Sequence, residues 1–189
     1  MRDVLMLVAV MVASQCSPRS VMAEPQKNRQ RMVLVGDSLC QGAARPLHSW
    51  SKKNNVSLSI NCLHGTMIDY WSPKIEKVLN MSRPQVVIVS LGTNDSGLKN
   101  PEIQRPHVKK IIATARRYGS RILWLIPQKL PERFKGQAGI RKILSEELTE
   151  HETFISDGLN LEMIADKIHM TGSGYDNWVA AFSERLVVK

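Results

Sequence analysis

Two nearly unbroken apolar runs constrain this chain most, Val86-Val87-Ile88-Val89 and Ile122-Leu123-Trp124-Leu125-Ile126. A strand with one face in water alternates apolar and polar residues, whereas a continuous β-branched run has both faces covered. Parallel sheets with helices packed on either side provide that environment. Residues 32–35 and 56–60 read as two further strands, 86–91 and 122–126 as the central pair, and 153–155 as a short fifth.

Stretches of helical spacing lie between these runs. Ser72-Pro73 offers a cap and a first-turn proline for a helix reaching about Asn80. Residues 103–118 carry Ile111, Ile112 and Ala115 at helical spacing, with Gly119 as the stop. Residues 140–150 and 175–187 read as two more helices, while 41–54 are ambiguous because Pro46 interrupts them. No internal repeat is present. Strand–helix alternation predicts a three-layer α/β/α domain around an open, doubly wound parallel sheet of about five strands. Ligands of such sheets bind outside the carboxyl ends of the strands. The loops to search therefore follow Val35, Ile60, Leu91 and Ile126, together with the segment before the last helix.

At 189 residues one domain is expected. A composition of 43% hydrophobic and 23% charged residues excludes low-complexity and collagen-like chains. Ten apolar residues, 4–13, follow Met1-Arg2-Asp3 and precede Val21-Met22-Ala23, the order of a secretory signal with a small-residue cleavage site. Residues 1–23 are thus read as a signal peptide cut near Ala23, 24–30 as a polar leader and 31–189 as the domain. The competing reading is a buried N-terminal helix, since Asp3 weakens the leading positive charge. A lipid-anchored reading through Cys16 is disfavoured by Gln15, where a small residue is required. Export would make the protein periplasmic or secreted and change its formal charge from +9 to +8. No apolar run approaches the roughly 18–20 residues needed to span a bilayer.

The loops at the carboxyl ends carry chemistry. Gly36-Asp37-Ser38-Leu39 follows the first strand, Cys62-Leu63-His64-Gly65-Thr66 the second, and Gly92-Thr93-Asn94-Asp95 the third. Asp166-Lys167-Ile168-His169 precedes the final helix. Each alone is ordinary turn chemistry. Together they supply what acyl transfer from an ester needs. Ser38 is the candidate nucleophile, inert until a base takes its proton. His169 is the candidate base, oriented by Asp166. The backbone N–H groups of Ser38 and Gly65 and the side-chain amide of Asn94 are candidate donors to an oxyanion.

In these four blocks the chain resembles the SGNH hydrolases, also called GDSL esterases and lipases. The GDSL block carries Ser38, the oxyanion glycine is Gly65, the GTND block carries Asn94, and the DxxH block carries Asp166 and His169. The stretches Gly65-Thr66-Met67-Ile68-Asp69-Tyr70-Trp71 and Ile122-Leu123-Trp124-Leu125-Ile126-Pro127 look like a compact bacterial or phage-type subgroup. The resemblance runs from Met32 to about Trp178 and implies a flavodoxin-like fold and a serine carboxylic ester hydrolase. It requires no cofactor and no metal. Cys40 departs from the family pattern, standing where a small residue is usual two positions after Ser38. With Cys62 it forms either a disulfide bracing the oxyanion loop or a pair of buried free thiols.

Other residues carry plainer readings. His48, His107 and His151 belong to polar helical surfaces, and His64 to a loop that lines the cleft or merely borders it. Asp37 and Asp95 are expected to bond backbone N–H groups in their loops. Tyr70-Trp71 is either a sugar-stacking platform or packing, and Trp124 and Trp178 belong to the core. The basic pairs Lys52-Lys53, Lys109-Lys110, Arg116-Arg117 and Arg141-Lys142 are scattered over helix faces. That pattern lacks the concentrated basic stripe of a nucleic-acid binder, leaving at most weak attraction to an anionic cell envelope. The expected substrate is a small acyl ester or acylated glycan, such as a polysaccharide O-acetyl group, because no long apolar insertion is present to house a fatty chain. A lipase, lysophospholipase or thioesterase, an acyltransferase, and a glycan-binding module on the same fold are the alternatives. Oligomeric state is not legible.

Overall fold

The computed structural model describes residues 29–126 and 128–186. The proposed signal peptide, residues 1–23, lies outside them, as do 24–28 of the leader. Gln30, the last leader residue by sequence, is already the first residue of a strand.

Five strands form one all-parallel sheet: β1 (Gln30–Gly36), β2 (Val56–Cys62), β3 (Val86–Ser90), β4 (Arg121–Ile126) and β5 (Thr153–Ile155). Their spatial order is β2-β1-β3-β4-β5, the flavodoxin-like order, with its reversal point between β1 and β3. β3 is buried along its whole length, and β1 and β4 over all but their first residues. This is what the unbroken apolar runs require. The edge strands differ: β2 is largely half-exposed, and β5 is three residues long.

Among the described residues, six helices cover the sheet: α1 (Ser38–Lys53), α2 (Ile68–Trp71), α3 (Ile75–Ser82), α4 (Arg105–Arg117), α5 (Gln137–Glu147) and α6 (Gly172–Ser183). Successive strand residues point to opposite faces. Val33, Val35, Val87, Val89, Ile122 and Trp124 therefore pack against α3, α4 and α5. Met32, Leu34, Val86, Ile88, Leu123 and Leu125 pack against α1 and α6. The result is three layers with a core on each side of the sheet. Trp124 and Trp178 are both buried in it, their indoles donating to Leu91 O at 3.0 Å and Ser156 Oγ at 2.7 Å.

Several elements differ from their sequence reading. Pro46 does not interrupt a helix: α1 runs through it without a break. An interior proline costs about 3 kcal/mol, but Leu39, Cys40 and Ala43 before it and Leu47 after it are all buried. Burying such a set is worth several kcal/mol, about 1.5–3 for each large apolar side chain. Ser72 does not cap the helix ending near Asn80. The helix starts later, as α3 at Ile75, while Ser72 closes the preceding short α2, and the Ser72 hydroxyl meets His107 Nδ1 at 3.0 Å. His107 is consequently half-buried rather than a solvated surface residue. Residues 101–104 form a 3₁₀ turn before α4, which ends ahead of Gly119, whose φ of +69° suits a glycine stop. α5 ends at Glu147, and a capping box between Thr149 and Glu152 closes a separate turn after it. α6 begins at Gly172, capped by Thr171 Oγ1 accepting from Gly174 N at 3.1 Å.

Candidate active site

All four sequence blocks meet at the carboxyl ends of β1, β2 and β3, beside the start of α6. Gly36 ends β1 where the chain turns hard. A Cβ there would collide with the Ser90 carbonyl and lie 2.8 Å from Cys40 Cβ, so only glycine fits. Asp37 follows as the N-cap of α1, its Oδ1 accepting from Leu39 N at 2.9 Å. Ser38 is the first residue of α1, in the turn whose N–H groups have no intrahelical partners and face incoming negative charge.

Ser38 Oγ lies 2.8 Å from His169 Nε2, although the two are 131 residues apart in sequence. His169 Nδ1 lies 2.7 Å from Asp166 Oδ2. A carboxylate can only accept, so Nδ1 carries the ring proton and Nε2 is the acceptor facing Ser38. Asp166 is fixed by its own turn, Oδ1 accepting from Ile168 N at 2.8 Å and His169 N at 2.9 Å. The His169 side-chain bond, followed by these backbone bonds, lowers the Asp166 pKa to about 2. The turn holds Lys167 at a φ of +57°, in the left-handed region.

The loop after β2 is tied in by several bonds. Leu63 N donates to Gly36 O at 2.9 Å. Thr66 Oγ1 donates to Leu63 O at 2.7 Å and accepts from Trp71 Nε1 at 2.9 Å. Between them Gly65 adopts a φ of +72° with nothing near its missing Cβ. Backbone conformation, not crowding, thus favours glycine there. A Cys40–Cys62 disulfide joins α1 to the end of β2, with Cα atoms 5.6 Å apart. Of the two arrangements the sequence leaves open, the structure has the bridge.

Asn94, in the loop after β3, reaches both other loops. Its Nδ2 donates to Thr66 O at 2.9 Å and to Asp37 Oδ2 at 3.3 Å. Asp95 is fully buried, its Oδ1 accepting from Ile68 N at 3.1 Å and its Oδ2 lacking a partner. Burial raises Asp37 to about 7 and Asp95 to about 6. Both aspartates bond backbone N–H groups as the sequence suggests, but Asp37 also holds Asn94.

The site therefore brings together Ser38, His169, Asp166, Gly65 and Asn94. It adds Thr66, to which the sequence reading assigns no role, and Asp37 and Trp71 in bonds that reading does not foresee. Trp71 is 6% exposed and bonded to Thr66, so it packs rather than offering a stacking face. Tyr70 is more open, with Lys74 Nζ 3.7 Å from its ring centre. His64 is exposed and nearly parallel to His169, with interplanar angle 16° and centroids 6.4 Å apart. It therefore borders His169. Among the described residues, no group of three or more His, Cys, Asp or Glu side chains is placed to hold a metal ion.

No family model and no curated protein matches the chain. Solved structures do. A GDSL-like lipase from Bacteroides thetaiotaomicron aligns with a TM-score of 0.67 at 18% identity, covering 86% of this chain and 90% of that one. A psychrotrophic esterase from Pseudoalteromonas sp. gives 0.66 at 14% identity, covering 83% and 99%. A catalytic mutant of an acetylxylan esterase from Geobacillus stearothermophilus gives 0.64 at 10% identity, covering 87% and 98%. At such identities the likeness is one of fold, and the chain has the α/β/α fold found in these GDSL-like lipase and esterase structures.

Proposed function

We propose that this protein is an exported serine ester hydrolase of the SGNH, or GDSL, family that removes short acyl groups, such as O-acetyl from a cell-envelope or other polysaccharide. The observation that carries the reading is the hydrogen-bonded line from Ser38 Oγ through His169 to Asp166, with contacts of 2.8 and 2.7 Å. His169 Nε2 takes the Ser38 proton as Oγ attacks the acyl carbon, and the Asp166 carboxylate steadies the imidazolium that forms. The backbone N–H groups of Ser38 and Gly65 and the Asn94 amide receive the developing oxyanion. His169 then protonates the leaving alkoxide. A water, deprotonated by His169, releases the acyl group from Ser38. A sugar hydroxyl in place of that water would make the same site an acyltransferase.

Export is supported by the apolar stretch 4–13 and by a disulfide, a bond that persists in oxidising compartments. One observation supports the preference for short acyl groups. A groove of about 660 Å³ runs between β2 and α3, lined by Ile60, Trp71, Val78 and Met81 among others. None of Ser38, Asn94 or His169 lines it. That groove is also the one feature favouring the lipase, lysophospholipase or thioesterase reading, because it is large and apolar enough for a chain.

Initial rates on p-nitrophenyl esters from acetate to palmitate separate these readings. The account expects kcat/KM to fall beyond about four acyl carbons, and Ser38→Ala to abolish turnover at every length. Rates rising with chain length would favour the longer-chain reading. A folded protein inactive on the whole series would favour the glycan-binding module.

A further inference from the structure

Asp37 stands between two halves of the site. Its Oδ1 caps the helix that begins with Ser38, and its Oδ2 accepts from the Asn94 amide. Capping alone does not call for a carboxylate, since serine, threonine or asparagine caps a helix as well without burying a charge. Yet Asp37 is fully buried, and its carboxylate is retained where desolvation opposes ionisation. Its second oxygen faces Asn94, a contact that helix capping does not require.

An asparagine amide has two ends of nearly the same shape and opposite polarity, so its partners decide which end points where. Asn94 has two, and both are acceptors: the Asp37 carboxylate at 3.3 Å and the Thr66 carbonyl at 2.9 Å. Thr66 is itself held by Leu63 O and the Trp71 indole. With the amide turned over, its oxygen would confront both acceptors and no donor. We infer that Asp37 is a positioning residue, which selects the NH2 end of Asn94 for the Ser38 turn through the same carboxylate that caps the nucleophile's helix. The inference rests on the ester-hydrolase reading with Asn94 as an oxyanion donor. The NH2 end stabilises an oxyanion, whereas the oxygen end repels it. The N–H directed at Asp37 makes the longer bond, so it is the one an oxyanion shares in a three-centre arrangement.

Asp37→Asn is close to isosteric. Its Oδ1 still accepts from Leu39 N, but its own NH2 now confronts that of Asn94 and lets the amide turn over. On p-nitrophenyl acetate, Asp37→Asn is expected to lower kcat at least about tenfold with KM within about twofold. Asn94→Ala should lower kcat about 100–1,000-fold. The double variant should be no more than about threefold slower than Asn94→Ala, because the two residues act as one unit. If Asp37→Asn does not fold, Asp37→Ser keeps a capping oxygen without the second one, and the same results are expected of it. A kcat unchanged or raised by either variant overturns the inference, as does an Asp37→Asn loss that persists in full when Asn94 is already alanine. Absence of ester turnover in the unmodified protein overturns the hydrolase reading and this inference together.

Discussion

Asp37 and Asp95 are buried carboxyls beside the Ser38 turn, and they make the protein's stability depend on pH in a definite direction. Burial, the larger cause for each, lifts Asp37 to about 7 and Asp95 to about 6. The unfolded chain has ordinary aspartates near about 3.9. A carboxyl whose folded pKa is raised contributes stability fully below the unfolded value and loses it as pH rises through the folded one. Asp166 works oppositely. Its bond to His169 lowers it to about 2, so its contribution is present above about 4 and fades as pH falls towards 2. It is partly exposed, and solvent screening keeps that contribution small. Urea midpoints should therefore be higher at pH 5 than at pH 8. Asp37→Asn should shrink that difference, because it removes the carboxyl with the largest rise. A difference that survives Asp37→Asn undiminished would contradict the assignment.

At the scale of elements, the disulfide and α1 act together to set the position of Ser38. Cys40 lies in the first turn of α1, two residues after Ser38, and Cys62 ends β2 just before the loop that carries Gly65. The bridge spans 22 residues of sequence. Closing a loop of that length in the unfolded chain is worth about 3 kcal/mol in the chain-entropy account. Cys62→Ser should lower the unfolding free energy by about that amount in urea titrations. Reduction of the unmodified protein should do the same. Equal stability with and without the bond would contradict the paired cysteines, as would two titratable thiols in the denatured, non-reduced chain lacking residues 1–23, which carry Cys16. β3 and β4 were readable from sequence because continuous apolar runs have few other uses at this length. α1 was not, because a proline rule that is local was overridden by four buried side chains spread along the helix. The later start of α3, at Ile75, was hidden for a similar reason. Ser72 looks like a cap in sequence, but its hydroxyl is bonded to His107, 35 residues away.

For the whole molecule, the strand order explains why distant blocks form one site. Ser38 follows β1 and Asn94 follows β3, the two strands flanking the point where the order reverses. Gly65 follows β2 on the other side of β1, and Asp166 and His169 arrive just ahead of α6. The positions of the candidate residues were therefore legible from strand and loop order alone. The bonds among them were not, since the Asn94 contacts with Asp37 and Thr66 depend on rotamers and on how closely three loops approach. Charge also reads differently in three dimensions. Arg116 pairs with Glu152, Arg117 with Glu76, Lys109 with Glu147 and Arg141 with Asp157. Arg105 meets Glu102, Glu146 and Glu147, tying α4 to α5. Several of the scattered basic side chains are thus paired with carboxylates of neighbouring helices and loops. The central claim is that Ser38 is a nucleophile activated by His169. Treating the protein with an activated alkyl phosphonate ester and mapping the adduct by peptide mass spectrometry tests it most directly. The account predicts one covalent phosphonate on the Ser38 peptide, lost in His169→Ala. Folded protein that takes up no label, or takes it up on another residue, would contradict it.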